Sequence, residues 1–222
     1  MTFSENLRRQ ADPIYRRIFE HPMVTGIGDG TLPVDRFKFY VKQDYLYLVE
    51  YAKVTALAVA KGRSLDTMGR LALLLHETLN TEMELHRSYC REFGISREEL
   101  ESTAPAPTTH AYTRHLLTVA YEEGFASIAA SMAPCQWGYA EIGLRLAERG
   151  RPVHQPLYCQ WVDMYASEEF QSLAAWLRPL VDEAAQELGP AELARAEQAF
   201  LTSARYEYLF WDMAWKLEEW PI

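Results

Sequence analysis

The chain has 222 residues, 49% of them apolar and 24% charged, with 22 basic against 31 acidic side chains and a formal net charge of −9. That apolar fraction is ample for a core and excludes a disordered chain, and the length suits one large domain. The acidic balance, unrelieved by any run of Lys or Arg, disfavours nucleic acid and anionic membrane as partners, because both are held by basic patches.

No uncharged apolar run approaches the roughly 18 residues that span a bilayer. The opening MTFSENLRRQADP carries no apolar segment before a small-residue cleavage site, so no signal peptide is expected. Cys90, Cys135 and Cys159 are odd in number and widely spaced, with no CxxC among them. Neither a disulfide framework nor a zinc site is expected, and the cytoplasm is the expected compartment.

The helical period dominates the chain, and no sustained alternation marks a sheet. Thr2-x-x-Glu5 has the form of a capping box opening a helix to about Glu20, with Pro13 as a bend. His21-Pro22 breaks it. Gly26, Gly28 and Gly30 read as a turn-rich loop; their spacing is not that of a phosphate cradle. Pro33 and Asp35 open a helix to Lys61, with Gly62 as its C-cap. On it Asp44, Tyr47 and Tyr51 fall at i, i+3 and i+7, one face. An exposed Asp among surface tyrosines and an inward acid among rings both fit that face.

Ser64 caps a helix predicted to reach Phe93, stopped by Gly94. Glu82 and His86 are four apart on it and fit a hydrogen-bonded pair. A di-iron bundle needs Glu-x-x-His pairs, and none of the six histidines has Glu three residues before it. Ser96-x-x-Glu99 opens a short helix, and Ala104 to Thr109 reads as a connecting loop. A helix from about Thr109 to Glu123 carries Tyr112, and the helix after Gly124 runs to Glu148. Leu157 to Tyr165 is a short helix with Trp161 and Tyr165. Ser167 starts another, running to Leu188. The last runs from about Ala191 to Glu218, with Glu207, Phe210 and Trp211 at i, i+3 and i+4, where a carboxylate points with rings. The architecture predicted is all-α, a single-domain bundle of seven or more helices.

The stretch on which function turns is Ser131-Met-Ala-Pro-Cys135-Gln-Trp-Gly-Tyr139. Pro134 lacks the helical N–H and clashes with the preceding turn, so the helix is predicted to start, bend or restart there. The thiol then lies near free N–H groups that favour the thiolate. Tyr139, four residues on, shares its face. A nucleophilic cysteine in an aromatic pocket and an inert core thiol both fit this segment. Taken with Asp44 and Glu207, the thiol suggests a ring-lined cavity for a flat nitrogen heterocycle such as an aminopyrimidine. Rings stack on its faces, and a carboxylate pairs with its N–C–NH₂ edge in two bonds.

The chain resembles the TenA family (thiaminase II) over essentially its whole length. The stretches that carry the resemblance are His21-Pro22 with the following Asp-Gly-Thr-Leu-Pro, Phe37-x-x-Tyr40, Gln43-Asp44-Tyr45-x-Tyr47, Pro134-Cys135-x-Trp137-x-Tyr139, Tyr165-x-Ser167-x-Glu169-Phe170 and Glu207-x-x-Phe210-Trp211. A branch of the family lacks the cysteine; this chain keeps it. The resemblance implies the haem-oxygenase-like helical fold and hydrolysis of the C–N bond at a pyrimidine's exocyclic methylene. Thiamin or 4-amino-5-aminomethyl-2-methylpyrimidine is the implied substrate, and 4-amino-5-hydroxymethyl-2-methylpyrimidine is the product that feeds thiamin salvage. It further implies Cys135 as the nucleophile, Glu207 as acid and base, and Asp44 as the anchor of the pyrimidine edge. Tyr112 and Tyr165 are implied as hydrogen-bonding groups around the thiol, Tyr47 and Tyr139 as the cavity walls, and Trp211 as its closure. It implies a homotetramer and no metal or organic cofactor. A non-catalytic regulator and an oxidase of the same fold are the alternatives; the acidic chain speaks against the first as a DNA binder, and the missing Glu-x-x-His pairs against a di-iron form of the second.

Overall fold

The computed structural model describes residues 1–186 and 188–222, and among them no strand occurs. The helices are α1 Phe3–Phe19, α2 Pro22–Asp29, α3 Val34–Lys61, α4 Leu65–Glu77, α5 Met83–Glu92, α6 Arg97–Glu101, α7 Pro107–Glu122, α8 Phe125–Arg149, α9 Pro156–Tyr165, α10 Glu168–Ala185 and α11 Pro190–Lys216, with a π-helical turn at Thr78–Glu82 joining α4 to α5. The predicted all-α architecture is the one observed.

Local chemistry sets the helix starts. Thr2 and Glu5 form the predicted capping box at α1. The side chains of Ser64, Ser96 and Ser167 each accept from a backbone N–H of the helix that follows, satisfying one of its unpaired donors. Proline supplies the first helical residue of α2, α7, α9 and α11, where its missing N–H costs nothing. The predicted loop from Ala104 to Thr109 is shorter for that reason, since Pro107 already opens α7.

Two expectations are corrected by packing. The Gly26–Gly30 stretch is helical up to Asp29, and only Gly30, at φ 71°, ends it. The two earlier glycines permit close approach: a Cβ on Gly28 would stand 2.6 Å from Leu146 Cδ2, and one on Gly26 3.1 Å from the backbone of Leu32. The long helix predicted from Ser64 to Phe93 is interrupted by the π-turn, which inserts extra residue length into the ladder.

The core is organised around α8, whose residues from Phe125 to Ala140 are all buried. A helix apolar on every side belongs inside other helices; α11 and α10 cover it most extensively, with α9, α7 and α3 around the remainder. Pro134 does not break it. The helix is continuous from Phe125 to Arg149, and the Tyr15 hydroxyl donates to the Pro134 carbonyl at 3.3 Å. The surrounding helices outweigh the local cost of an interior proline, so Cys135 sits mid-helix and not at an open N-terminal turn.

The closest approach to α8 is at Gly143, where an added Cβ would lie 2.5 Å from the carbonyl carbon of Tyr165, at the end of α9. Gly143→Ala is expected to destabilise the fold by about 1–3 kcal/mol through overpacking, read as a lower Tm in thermal unfolding; an unchanged Tm would mean that α9 moves freely off α8.

Candidate active site

The inner face of α3 turns Asp44, Tyr47 and Tyr51 into the core together, as their spacing predicts. Across from them α8 presents Cys135 and Tyr139, α9 presents Tyr165, and the π-turn presents Glu82. Asp44, Tyr47, Cys135, Tyr139 and Tyr165 line one inner chamber, joined by Leu48, Glu82, Gln136 and Phe170, with a cavity volume of about 10 Å³. That is room for about one water, so a flat ring enters only as the wall side chains move apart. An outer chamber of about 60 Å³ adjoins it and shares Glu82, Gln136 and Phe170.

The other three predicted residues stand behind the wall. Tyr112 packs its ring 5.0 Å from that of Tyr47, and its hydroxyl donates to Glu207 Oε1 at 2.6 Å. Trp211 is stacked on Tyr40 at 5.3 Å and lies 5.4 Å from Tyr139. It braces the wall from inside α11 and is not among the residues that line the chamber. The rings of Tyr139, Trp161, Tyr165 and Phe170 continue the aromatic shell, with neighbouring centroids between 4.5 and 5.9 Å.

Asp44 is held from one side. Its Oδ2 accepts from Tyr40 at 3.1 Å and lies 2.7 Å from His86 Nε2. Among the described residues nothing donates to Oδ1. His86 Nδ1 lies 2.9 Å from the Glu82 backbone carbonyl, which can only accept, so Nδ1 carries a proton. Burial lowers the His86 pKa, but the hydrogen bond and charge of Asp44 outweigh it, and the net shift is upward. The expected Glu82–His86 pair therefore forms through the main chain, and the imidazole serves Asp44. Neither His86 nor Tyr40 was predicted as a site residue. His86 is 42 positions from Asp44, and nothing in the spacing joins them.

Burial dominates the remaining ionisable groups. Desolvation pushes Glu207 up to about 8, with the Tyr112 hydrogen bond opposing and Asp44 adding to the shift. It pushes Glu82 up to about 7, with Asp44 adding and His86 opposing. The Cys135 thiol is driven well above its ordinary range, first by burial and then by the nearby charge of Glu207. The expected depression by free helix N–H groups does not occur, because the thiol is in mid-helix. The thiol is thus protonated at rest beside a protonated acid. The Tyr47 hydroxyl stands beside it, and the hydroxyls of Tyr47 and Tyr51 and the Gln136 Oε1 have no hydrogen-bond partner of ordinary geometry.

A buried thiol, the Asp44 carboxyl with one free oxygen, and Glu82, which titrates near neutrality, line this ring-walled space with the neutral Glu207 behind it, and the set fits the polar edge of a small heterocycle. Residues 8–217 match the model of the TENA/THI-4/PQQC family. The chain belongs to that family. Over 220 residues it is 46% identical to the aminopyrimidine aminohydrolase of Halalkalibacterium halodurans, covering 99% of this chain and 98% of that one. The family member solved as the TenA homologue from P. horikoshii OT3 superposes with a TM-score of 0.88 at 31% identity, over 97% of this chain and 99% of that one. A domain from Shewanella denitrificans with a heme oxygenase-like fold gives 0.73 at 16% identity, over 96% and 92% of the two chains, a likeness of fold alone. The haem-oxygenase-like bundle is therefore the fold of this TenA-family chain.

Glu207 fixes the sign of one pH effect. Its folded value of about 8 lies above the ordinary 4.5, so the native state holds a proton that the unfolded chain releases. Stability from this proton is complete below about pH 4.5 and is lost as pH rises through about 8. Glu207→Gln cannot lose it. In urea titrations between those limits, wild type is expected to lose stability faster than the variant, by on the order of 1.4 kcal/mol per pH unit. Equal slopes would contradict a protonated Glu207.

Proposed function

We propose that the chain is a hydrolase of the aminopyrimidine aminohydrolase kind. It cleaves the C–N bond at the exocyclic methylene of 4-amino-5-aminomethyl-2-methylpyrimidine or of thiamin and releases the hydroxymethylpyrimidine used in thiamin salvage. The observation that carries this reading is the meeting, in one buried chamber, of the Cys135 thiol and the free oxygen of Asp44, with Glu207 close behind the thiol. The name of the Halalkalibacterium relative, at 46% identity over nearly the whole chain, supports it.

The pyrimidine edge docks on Asp44, whose Oδ1 accepts from the 4-amino group while His86 and Tyr40 hold Oδ2. Tyr47 and Tyr139 line the ring faces, and Tyr112 and Tyr165 orient Glu207 and Glu82. Glu207 gives its proton to a ring nitrogen, which makes the adjacent ring carbon electrophilic. The Cys135 sulfur bonds to that carbon while its proton passes to Glu207, so that S–H adds across C=N and the acid is regenerated. The lone pair of the 4-amino group then expels the leaving group from the methylene. Water adds to the exposed carbon and gives up a proton, and the ring N–H proton returns through Glu207 to the departing sulfur, which restores the aromatic ring and the thiol. The sequence needs no thiolate at rest, which suits a thiol whose pKa burial raises.

We also infer a homotetramer in the cytoplasm, supported by the family likeness; the three cysteines are free, as a reducing compartment keeps them. Among the described residues no helix is long and apolar enough to cross a membrane. Light scattering that returned the mass of a single 25.6 kDa chain would refute the oligomer.

Two variants test the chemistry. Cys135→Ser is expected to lower kcat by on the order of a thousandfold or more with an unchanged circular dichroism spectrum; turnover near that of wild type removes the nucleophile. Asp44→Ala is expected to weaken binding of the hydroxymethylpyrimidine product by about ten- to a hundredfold, the worth of a charge-assisted hydrogen bond. Calorimetry showing unchanged affinity removes the anchoring role.

A further inference from the structure

The inner and outer chambers meet at Glu82, Gln136 and Phe170, and the steps above give this junction no task. Its buried oxygens lack partners. Gln136 Oε1 and, at the outer side, Thr78 Oγ1 are buried without a partner. Glu82 Oε1 is reached by the Tyr165 hydroxyl only at 3.4 Å, beyond the roughly 2.5–3.0 Å of an ordinary O–H···O bond. Glu77 and Glu169 also line the outer chamber, and no Lys or Arg lines either one among the described residues. A buried acceptor left without a donor is costly, so the junction is stabilised by a ligand that brings donors.

Unpartnered acceptors, surplus negative charge and no basic side chain complement a cation that carries several N–H groups. A primary ammonium is such a group. A phosphorylated leaving group is repelled here, and a thiazolium ring brings charge but no N–H. The junction joins the inner chamber, which holds the thiol and Asp44, to the outer one, and so offers a way out for a departing group.

We propose that Glu82 and Gln136, with Thr78 beside them, form a leaving-group subsite for a primary ammonium and so favour an aminomethyl over a thiazolium-methyl pyrimidine. The proposal rests on the hydrolase reading and names the residues that choose among its substrates. The ammonium of the substrate sits on the Glu82 carboxylate and the Gln136 carbonyl. When the C–N bond breaks, its electron pair leaves with nitrogen as ammonia. The proton released as water adds to the methylene passes to Glu82 and from there to the ammonia. The balance is R–CH₂–NH₃⁺ + H₂O → R–CH₂–OH + NH₄⁺, with ammonium leaving through the outer chamber. Burial pushes Glu82 up to about 7, close enough to neutrality for it to accept and return a proton.

The test is the ratio of kcat/KM for the aminomethylpyrimidine to that for thiamin, in wild type, Glu82→Gln and Gln136→Leu. Glu82→Gln keeps the side chain's size and removes its charge. The ratio is expected to fall about ten- to a hundredfold in Glu82→Gln, the span of one hydrogen bond to a charged group, and to fall less in Gln136→Leu. A ratio unchanged in both overturns the subsite, whatever the absolute rates. If Glu82→Gln does not fold, Gln136→Leu reads the same ratio alone. A wild-type protein that cleaves neither substrate overturns the hydrolase reading itself, a result distinct from an unchanged ratio.

Discussion

A carboxyl group shut away from water must either find a cation or keep its proton, and this constraint shapes the centre of the molecule. Asp44 meets the imidazole of His86 at 2.7 Å. Glu207 keeps its proton, pushed up to about 8 by desolvation, and Glu82, pushed up to about 7, holds and releases one near neutrality. Three acids within one core thus divide into one that binds and two that can give protons. The division is made by their neighbours, since an imidazole reaches the Asp44 side chain whereas the Glu207 and Glu82 carboxyls face the hydroxyls of Tyr112 and Tyr165.

The helices exist in this arrangement to enforce that dryness. The buried run of α8 from Phe125 to Ala140 has no polar face to offer water, so α11, α10, α9, α7 and α3 close around it. The same enclosure that carries Pro134 through the helix raises the Cys135 thiol. A nucleophile made this way is quiet until a substrate supplies an electrophile, which restrains oxidation and stray alkylation of the sulfur.

Much of this was legible in the sequence because helix periodicity brings together what it spaces. Asp44, Tyr47 and Tyr51 at i, i+3 and i+7 do share the inward face of α3, and Cys135 and Tyr139 at i, i+4 line the same chamber. Glu207 is buried with Phe210 and Trp211, as their phase required. What was not legible depends on contacts between helices or on irregular geometry. His86 reaching Asp44 needs the tertiary fold. The placement of Glu82 and Gln136 at the junction needs the π-turn and the depth of α8. The glycines of α2 resembled a loop because their cause, the approach of Leu146 and Leu32, lies elsewhere in the chain. Pro134 resembled a break because local preference was overruled by packing.

The π-turn at Thr78–Glu82 also bears on how this chain can vary. Each residue of a helix advances the side chains by about 100°. Excising one residue from that turn would restore a regular ladder and improve local hydrogen bonding. It would also swing either the α4 side or the α5 side out of phase, so that Glu82 and His86 could no longer both keep their directions. Two helices that look interchangeable with a single longer one are therefore locked in length. Insertions and deletions tolerated at ordinary surface turns would here uncouple the acid at the junction from the imidazole that steadies Asp44.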